Sequence, residues 1–196
     1  GSHMVLQADS VLPVWGRAAA AQEVRVTLGD ESQVARADRL GHWHLRLPPR
    51  AASATPTNMT VESAGERIQF SDVLIGEVWV CAGQSNMEWA LAQSANGESE
   101  LAKMDQSGIR LLHLEGGALG SSGSYTQQNL LRLTPDAFCE GEWKVASDES
   151  ARSFSAVAWY FGRHLIDALN VPVGLICPAV GGSPTEAWIP EDVLRD

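Results

Sequence analysis

The sequence predicts an α/β chain: a parallel sheet alternating with helices, preceded by a small antiparallel β-sandwich. Three observations predict it. Short runs of alternating polar and apolar residues fill positions 4–72. Beyond residue 72, longer apolar runs alternate with helical periodicity. Glycine- and serine-rich clusters then follow two of those apolar runs, where an open parallel sheet places its ligands. The expected division is a β-rich region over 4–72 and the α/β region over 73–196.

In the first region, Val11-Leu12-Pro13-Val14-Trp15 stops at Gly16, and residues 23–28 alternate before Gly29-Asp30. Residues 42–47 alternate again and end at Pro48-Pro49, while 58–62 and 67–70 supply two more short runs. Period-two alternation with β-branched and aromatic residues, broken by turn formers every few residues, predicts antiparallel strands in a sandwich. His42 and His44 share one strand face, opposite Trp43. They form at most half of a metal site, since a third ligand is missing. Asn58-Met59-Thr60 is a glycosylation sequon, meaningful in a secreted eukaryotic setting.

In the second region, residues 73–82 read as a buried parallel strand and 108–114 as another, with room for a helix over 98–106. The stretch 116–128 reads as a long loop. Phe154, Val157, Ala158, Phe161, Leu165 and Leu169 then recur on one face of an amphipathic helix. Ser153 or Ser155 can cap its start, and Asn170 and Pro172 end it. Residues 171–177 follow as a third strand. Strand–helix alternation implies right-handed crossovers and a parallel sheet covered on both faces.

Composition excludes several function classes. With 14 Lys+Arg against 24 Asp+Glu, the net charge is −10, opposite to the basic footprint of a nucleic-acid binder. No apolar run approaches the roughly 18 residues of a membrane span. Cys81, Cys139 and Cys177 are too few and too scattered for a disulfide framework or a zinc site, so no metal or other cofactor is expected. Gly1-Ser2-His3-Met4 reads as the remnant of a cleaved purification tag, which removes His3 from the chemistry.

Two clusters carry reactive groups. In Cys81-Ala82-Gly83-Gln84-Ser85-Asn86-Met87-Glu88-Trp89 a serine sits just past the end of a buried strand, after a glycine that permits a sharp turn. A serine attacking a carbonyl needs nearby N–H donors for the developing oxyanion. Taken locally, the pattern favours a plain helix N-cap for Ser85. Met87 also stands where the nucleophile elbow Gly-x-Ser-x-Gly has its last glycine. The second cluster, Val180-Gly181-Gly182-Ser183-Pro184-Thr185-Glu186-Ala187-Trp188, can present backbone N–H groups to a ligand or serve as an ordinary strand-to-helix turn.

Together these stretches resemble the sialate O-acetylesterase-like carbohydrate esterases, a branch of the SGNH hydrolases. The resemblance rests on Gly76-Glu77-Val78-Trp79, Gly83-Gln84-Ser85-Asn86-Met87 and Gly181-Gly182-Ser183-Pro184-Thr185-Glu186-Ala187-Trp188. It extends to Met4-Val5-Leu6-Gln7, Pro13-Val14-Trp15-Gly16, the run from Phe154 to Gly162, and Pro172-Val173-Gly174-Leu175-Ile176. The resemblance implies a three-layer, flavodoxin-like parallel sheet and removal of acetyl groups from sugars such as sialic acid or plant polysaccharides. It implies Ser85 as the nucleophile that forms an acetyl-enzyme. The N–H groups of Ser85 and of Gly181 or Gly182 become the oxyanion hole. Gln84 and Glu186 support substrate binding, and Asn86 orients the nucleophile loop. A secreted or periplasmic location follows from the same resemblance.

The family's late Asp-x-x-His block, and the Gln-Gly-Glu-x-Asn block before it, do not occur here. Arg39, Gly41, Arg110 and Phe161 stand three residues before His42, His44, His113 and His164, so none has the aspartate. A serine hydroxyl without a base is a poor nucleophile. The expectation is therefore an incomplete hydrolase sheet with an open edge, the base being supplied by a downstream part or a second chain. His113, near a strand end, can in principle substitute as base, although a buried strand histidine satisfied by hydrogen bonds is the commoner case. Two other classes stay open: a non-catalytic carbohydrate-binding or scaffold fragment, and a hydrolase of non-sugar esters. A complete assembly carrying Asp-x-x-His separates the first; acetyl-sugar against acyl-thioester turnover separates the second.

Overall fold

The computed structural model describes residues 1–104, 106–116 and 139–195, with positions 127, 131 and 134 between them. The glycine- and serine-rich stretch read as a loop, 116–128, falls almost entirely outside the described residues.

The alternating runs do form strands. β1 (Val5–Gln7), β2 (Leu12–Arg17), β3 (Glu23–Leu28), β4 (Glu31–Arg36), β5 (His42–Leu47), β6 (Ser53–Ser63) and β7 (Glu66–Val80) follow in order. β2 and β5 make a separate antiparallel pair, while β4, β3, β6 and β7 are antiparallel neighbours in the large sheet. The two layers close on Val24, Val26 and Leu28 from β3, Trp43, Leu45 and Leu47 from β5, and Met59, Val73 and Ile75. In β3 and β5 every second residue is buried, as period two requires when one face of a strand is covered. His42 and His44 accordingly point outward, opposite buried Trp43.

β7 corrects the sequence reading. Residues 67–70 and 73–80, expected within separate runs, belong to one 15-residue strand that ends two residues short of the expected 82. It pairs with β6 along its first part, with β1 at Leu74, Ile75 and Gly76, and with β12 (Val173–Cys177) from Glu77 to Val80. The apparent break is a bulge: the register shifts between the Phe70–Met59 and Val73–Thr57 pairs, with Asp72 held at φ 54°. A bulge re-aims the side chain that it carries. Here both Asp72 carboxylate oxygens accept from Nη2 of buried Arg110 at 3.0 Å.

Beyond β7 come α1 (Ser85–Glu88), α2 (Gly97–Leu101) and β8 (Gln106–His113). β9 (Glu115–Gly116) and β10 (Cys139–Glu140) form a small antiparallel pair, and β11 (Trp143–Ala146), α3 (Asp148–Arg152), α4 (Ala156–Leu169), β12 and α5 (Glu191–Leu194) follow. β7, β12 and β8 are mutually parallel. The strand β11, not anticipated from sequence, pairs antiparallel with β8 and covers the edge expected to be open there. The helix expected over 98–106 is the shorter α2.

Capping explains the helix ends. Ser155, not Ser153, caps α4 by accepting from the Ala158 N–H at 3.1 Å, and Asn170 ends the helix in the left-handed region at φ 53°. The expected apolar stripe is corrected: Val157, Phe161 and Leu169 are exposed. The helix instead turns Ala158, Trp159 and Gly162 inward, where Trp159 and the preceding Phe154 join Ile109, Leu111, Val173 and Leu175 in the core of the α/β part.

Candidate active site

Ser85 stands five residues past the end of β7, as the first residue of α1. The N-cap is Gln84, with no side-chain capping bond. The local reading of Ser85 as an N-cap is therefore corrected: its hydroxyl is exposed and does not serve the helix. A serine that neither caps a helix nor fills a core is available for chemistry.

β12 runs parallel beside the end of β7, so the loop that follows it meets the Ser85 turn. Three contacts stitch the two loops together. Val180 N–H donates to Gly83 O at 3.0 Å, Gly181 N–H donates to the Glu88 carboxylate at 2.7 Å, and the Gln84 amide donates to Ser183 O. At residue 181 a side chain is accommodated only if Glu88 gives way. A Cβ there would overlap Glu88 Oε2 and would lie 3.4 Å from Ser85 Oγ, which places the glycine backbone directly beside the hydroxyl. Gly182 adopts φ 77° with open space around its Cβ direction, a conformation that L side chains rarely adopt.

Ser183 is fully engaged. Its hydroxyl donates to Val180 O at 2.8 Å and accepts from Trp188 Nε1 at 2.9 Å. It is thus a strut of the second loop, and Ser85 is the freer hydroxyl.

The remaining sequence candidates scatter. Gln84 bonds the neighbouring loop. Asn86 is exposed on α1, and Glu186 is exposed in the 3₁₀ turn Thr185–Trp188. His113 lies edge-on to Phe154 with ring centroids 5.9 Å apart. His164 is exposed on α4, and His42 lies 3.7 Å from Asp38 on β5. Among the described residues no histidine hydrogen-bonds Ser85, and no group of three metal-ligating side chains occurs.

Cys81 and Cys177, free thiols buried beneath the two loops, are chemically quiet. Burial, with a smaller push from Cys177, raises the Cys81 thiol to about 11. Burial likewise raises Cys177, against opposing hydrogen bonds from Ala179 and Ser155. Cys139 is also a free thiol, raised by burial.

Sequence reasoning missed Glu88, although it stands three residues after Ser85 and hence on the same side of the helical turn. The tryptophans divide between core and surface. Trp43 and Trp159 are core, but Trp15, Trp79, Trp89 and Trp188 keep between 37% and 73% of their surface exposed.

With this geometry in place, comparison with known proteins is informative. No protein-family profile matches the chain. The sialate O-acetylesterases of Pongo abelii and Homo sapiens are each 32% identical to it over 202 aligned residues, covering 94% of this chain. The chain is a homologue of the sialate O-acetylesterases. That of Rattus norvegicus is 30% identical over 99% of the chain. The crystal structure of a carbohydrate acetylesterase from Xanthomonas citri superimposes over the whole chain with a TM-score of 0.84 at 32% identity. The mixed sheet with parallel strands and helices thus matches the α/β fold of that carbohydrate acetylesterase. The chain spans little more than a third of the length of the sialate O-acetylesterases, and 42% of the Xanthomonas citri chain. Among the described residues no helix is long and apolar enough to cross a membrane.

Proposed function

We propose that this chain carries the nucleophile half of a carbohydrate O-acetylesterase active site. Ser85 Oγ attacks the acetyl carbonyl, the sugar hydroxyl leaves, and water releases acetate from the acetyl-serine. The backbone N–H of Ser85 and a glycine N–H of the second loop stabilise the oxyanion. Gln84 and Glu186 are the substrate contacts of this proposal. The observation that carries this reading is the meeting of an uncommitted serine with a glycine on the loop that follows the adjacent parallel strand, 3.4 Å from Ser85 Oγ to the Cβ direction of residue 181.

The base is proposed to come from polypeptide outside this chain, carried by a downstream part of the same enzyme or by a second chain. Two facts support that. No histidine among the described residues bonds Ser85, and the homologues are nearly three times as long. The homologous names support acetylated carbohydrate as the substrate class, and the same kinship supports a secreted or periplasmic setting. The division at residue 72 is proposed in the same spirit, with the β-rich part as scaffold.

The test is Ser85→Ala in the active enzyme containing this chain. Activity on an acetylated sugar should fall by about 10⁴ to 10⁶, as for other catalytic serines, while the fold survives. A serine-directed phosphonate should label Ser85. Labelling of Ser183, or near-normal turnover by a folded Ser85→Ala protein, would sink the proposal.

A further inference from the structure

The two glycines after β12 are not equivalent, and hydrogen bonding distinguishes them. Along Val180 to Ser183, the Val180 N–H is taken by Gly83 O, the Gly181 N–H by the Glu88 carboxylate, and the Ser183 N–H by Val180 O at 3.3 Å. Among the described residues nothing accepts from the Gly182 N–H. It is the one donor of this turn left for a ligand, on a residue whose φ of 77° and open surroundings leave it accessible.

Resting on the reading of Ser85 as nucleophile, we infer that Glu88 is a positioning residue for the oxyanion hole. Its carboxylate pins Gly181 beside Ser85 so that Gly182, not Gly181, presents the second oxyanion donor. A hydrogen bond to a charged acceptor is stronger and shorter than a neutral one, and 2.7 Å is such a length. The overlap that any Cβ at residue 181 would make with Glu88 Oε2 means the two loops are in full contact there. Glu88 is anchored on the same helical turn as Ser85. The carboxylate therefore fixes the glycine loop relative to the serine itself. Val180–Gly83 and Ser183–Gln84 tie the loop on either side, so slack at residue 181 would be felt at Gly182. Glu88 does not touch the reacting atoms in this account; it acts through the loop.

The first test reads geometry in the 196-residue chain, by amide hydrogen exchange. Gly181 should exchange about tenfold or more slowly than Gly182, the factor a charge-assisted bond supplies. Glu88→Ala should bring Gly181 to the rate of Gly182. Equal rates in the unsubstituted chain would overturn the inference. The second test reads catalysis in the active enzyme containing this chain. Glu88→Ala should lower kcat about 10- to 100-fold, in the range of a sub-ångström to 1 Å misplacement, with little change in KM. Glu88→Gln, which keeps an acceptor oxygen, should restore most of the loss. An unchanged kcat for folded Glu88→Ala would overturn the role. So would a gain in kcat/KM, which would make the carboxylate a plug over the site. A fully active Ser85→Ala enzyme removes the underlying reading and this inference together. Full kcat in Glu88→Ala beside an inactive Ser85→Ala overturns only the role of Glu88.

Discussion

Gly181→Ala is the substitution on which the loop geometry makes its sharpest demand. The added Cβ would overlap Glu88 Oε2 while sitting 3.4 Å from Ser85 Oγ. Reaching ordinary contact with the carboxylate requires a retreat of roughly 1 Å. Glu88 is exposed, so its side chain can swing into solvent without disturbing the core. The cost to stability is then the lost charged hydrogen bond, about 1.5 kcal/mol at the lower end for such bonds. For a domain of this size that corresponds to a fall in Tm of about 3 to 6 °C. The cost to catalysis is larger, because the glycine loop loses its pin, and a shift of about 1 Å in the oxyanion donor it carries can remove about 10²-fold in rate. The assay pairs kcat on an acetylated sugar with a thermal melt. In a Glu88→Ala background the clash disappears and Ser85 Oγ is at ordinary contact distance, so adding Gly181→Ala should cost little more. A Gly181→Ala enzyme with normal kcat and lowered Tm would refute the reasoning, as would full additivity of the two substitutions.

Further outcomes are expected from other parts of the molecule. Gly182→Val meets no neighbour but must hold φ 77°, costing about 1 to 2 kcal/mol; kcat should fall well beyond that stability loss, and unchanged kcat would show a purely structural glycine. Asp72→Asn tolerates the left-handed backbone but removes the carboxylate from buried Arg110. It should lower stability by about 2 to 3 kcal/mol, somewhat below the loss for a fully buried pair, read as a lower urea midpoint with unchanged slope. Cys81, raised to about 11 from its ordinary 9.0, keeps its proton in the folded state. Its contribution is present below pH 9 and is lost as pH rises toward 11. Urea unfolding at pH 7.5 and 10.5 should show a larger loss for the unsubstituted chain than for Cys81→Ala.

Elements that bury one face were legible in the sequence, since the covering imposes a period. β3 and β5 alternate over their full length, and α4 shows both its ends; its expected stripe is displaced, since Val157, Phe161 and Leu169 are exposed while Trp159, off that stripe, is buried. β4 was not legible because its Glu31-Ser32-Gln33-Val34-Ala35-Arg36 lies at a sheet edge with little covered face. β7 was read as two runs because Ser71-Asp72 looks like a turn, whereas the structure absorbs it as a bulge within one strand. At the candidate site, Ser85 and the paired glycines were visible as local chemistry after apolar strands. Glu88 was not, because its partner lies 93 residues away, and only the parallel pairing of β7 with β12 brings them together.

β7 has a consequence for anyone who wishes to transplant this nucleophile. Its middle is cemented into the sandwich core through Val73 and Ile75, and its last residues carry the turn on which Ser85 is mounted. A graft beginning at residue 73 would leave behind β6, which pairs with residues as late as Ile75, and the Asp72 anchor for Arg110. The serine would then hang from a strand whose root had been sawn off. Engineers should move the whole of β7 with its sandwich, and choose their variable positions in the exposed hairpin between β3 and β4, where insertions leave the aim of the hydroxyl untouched.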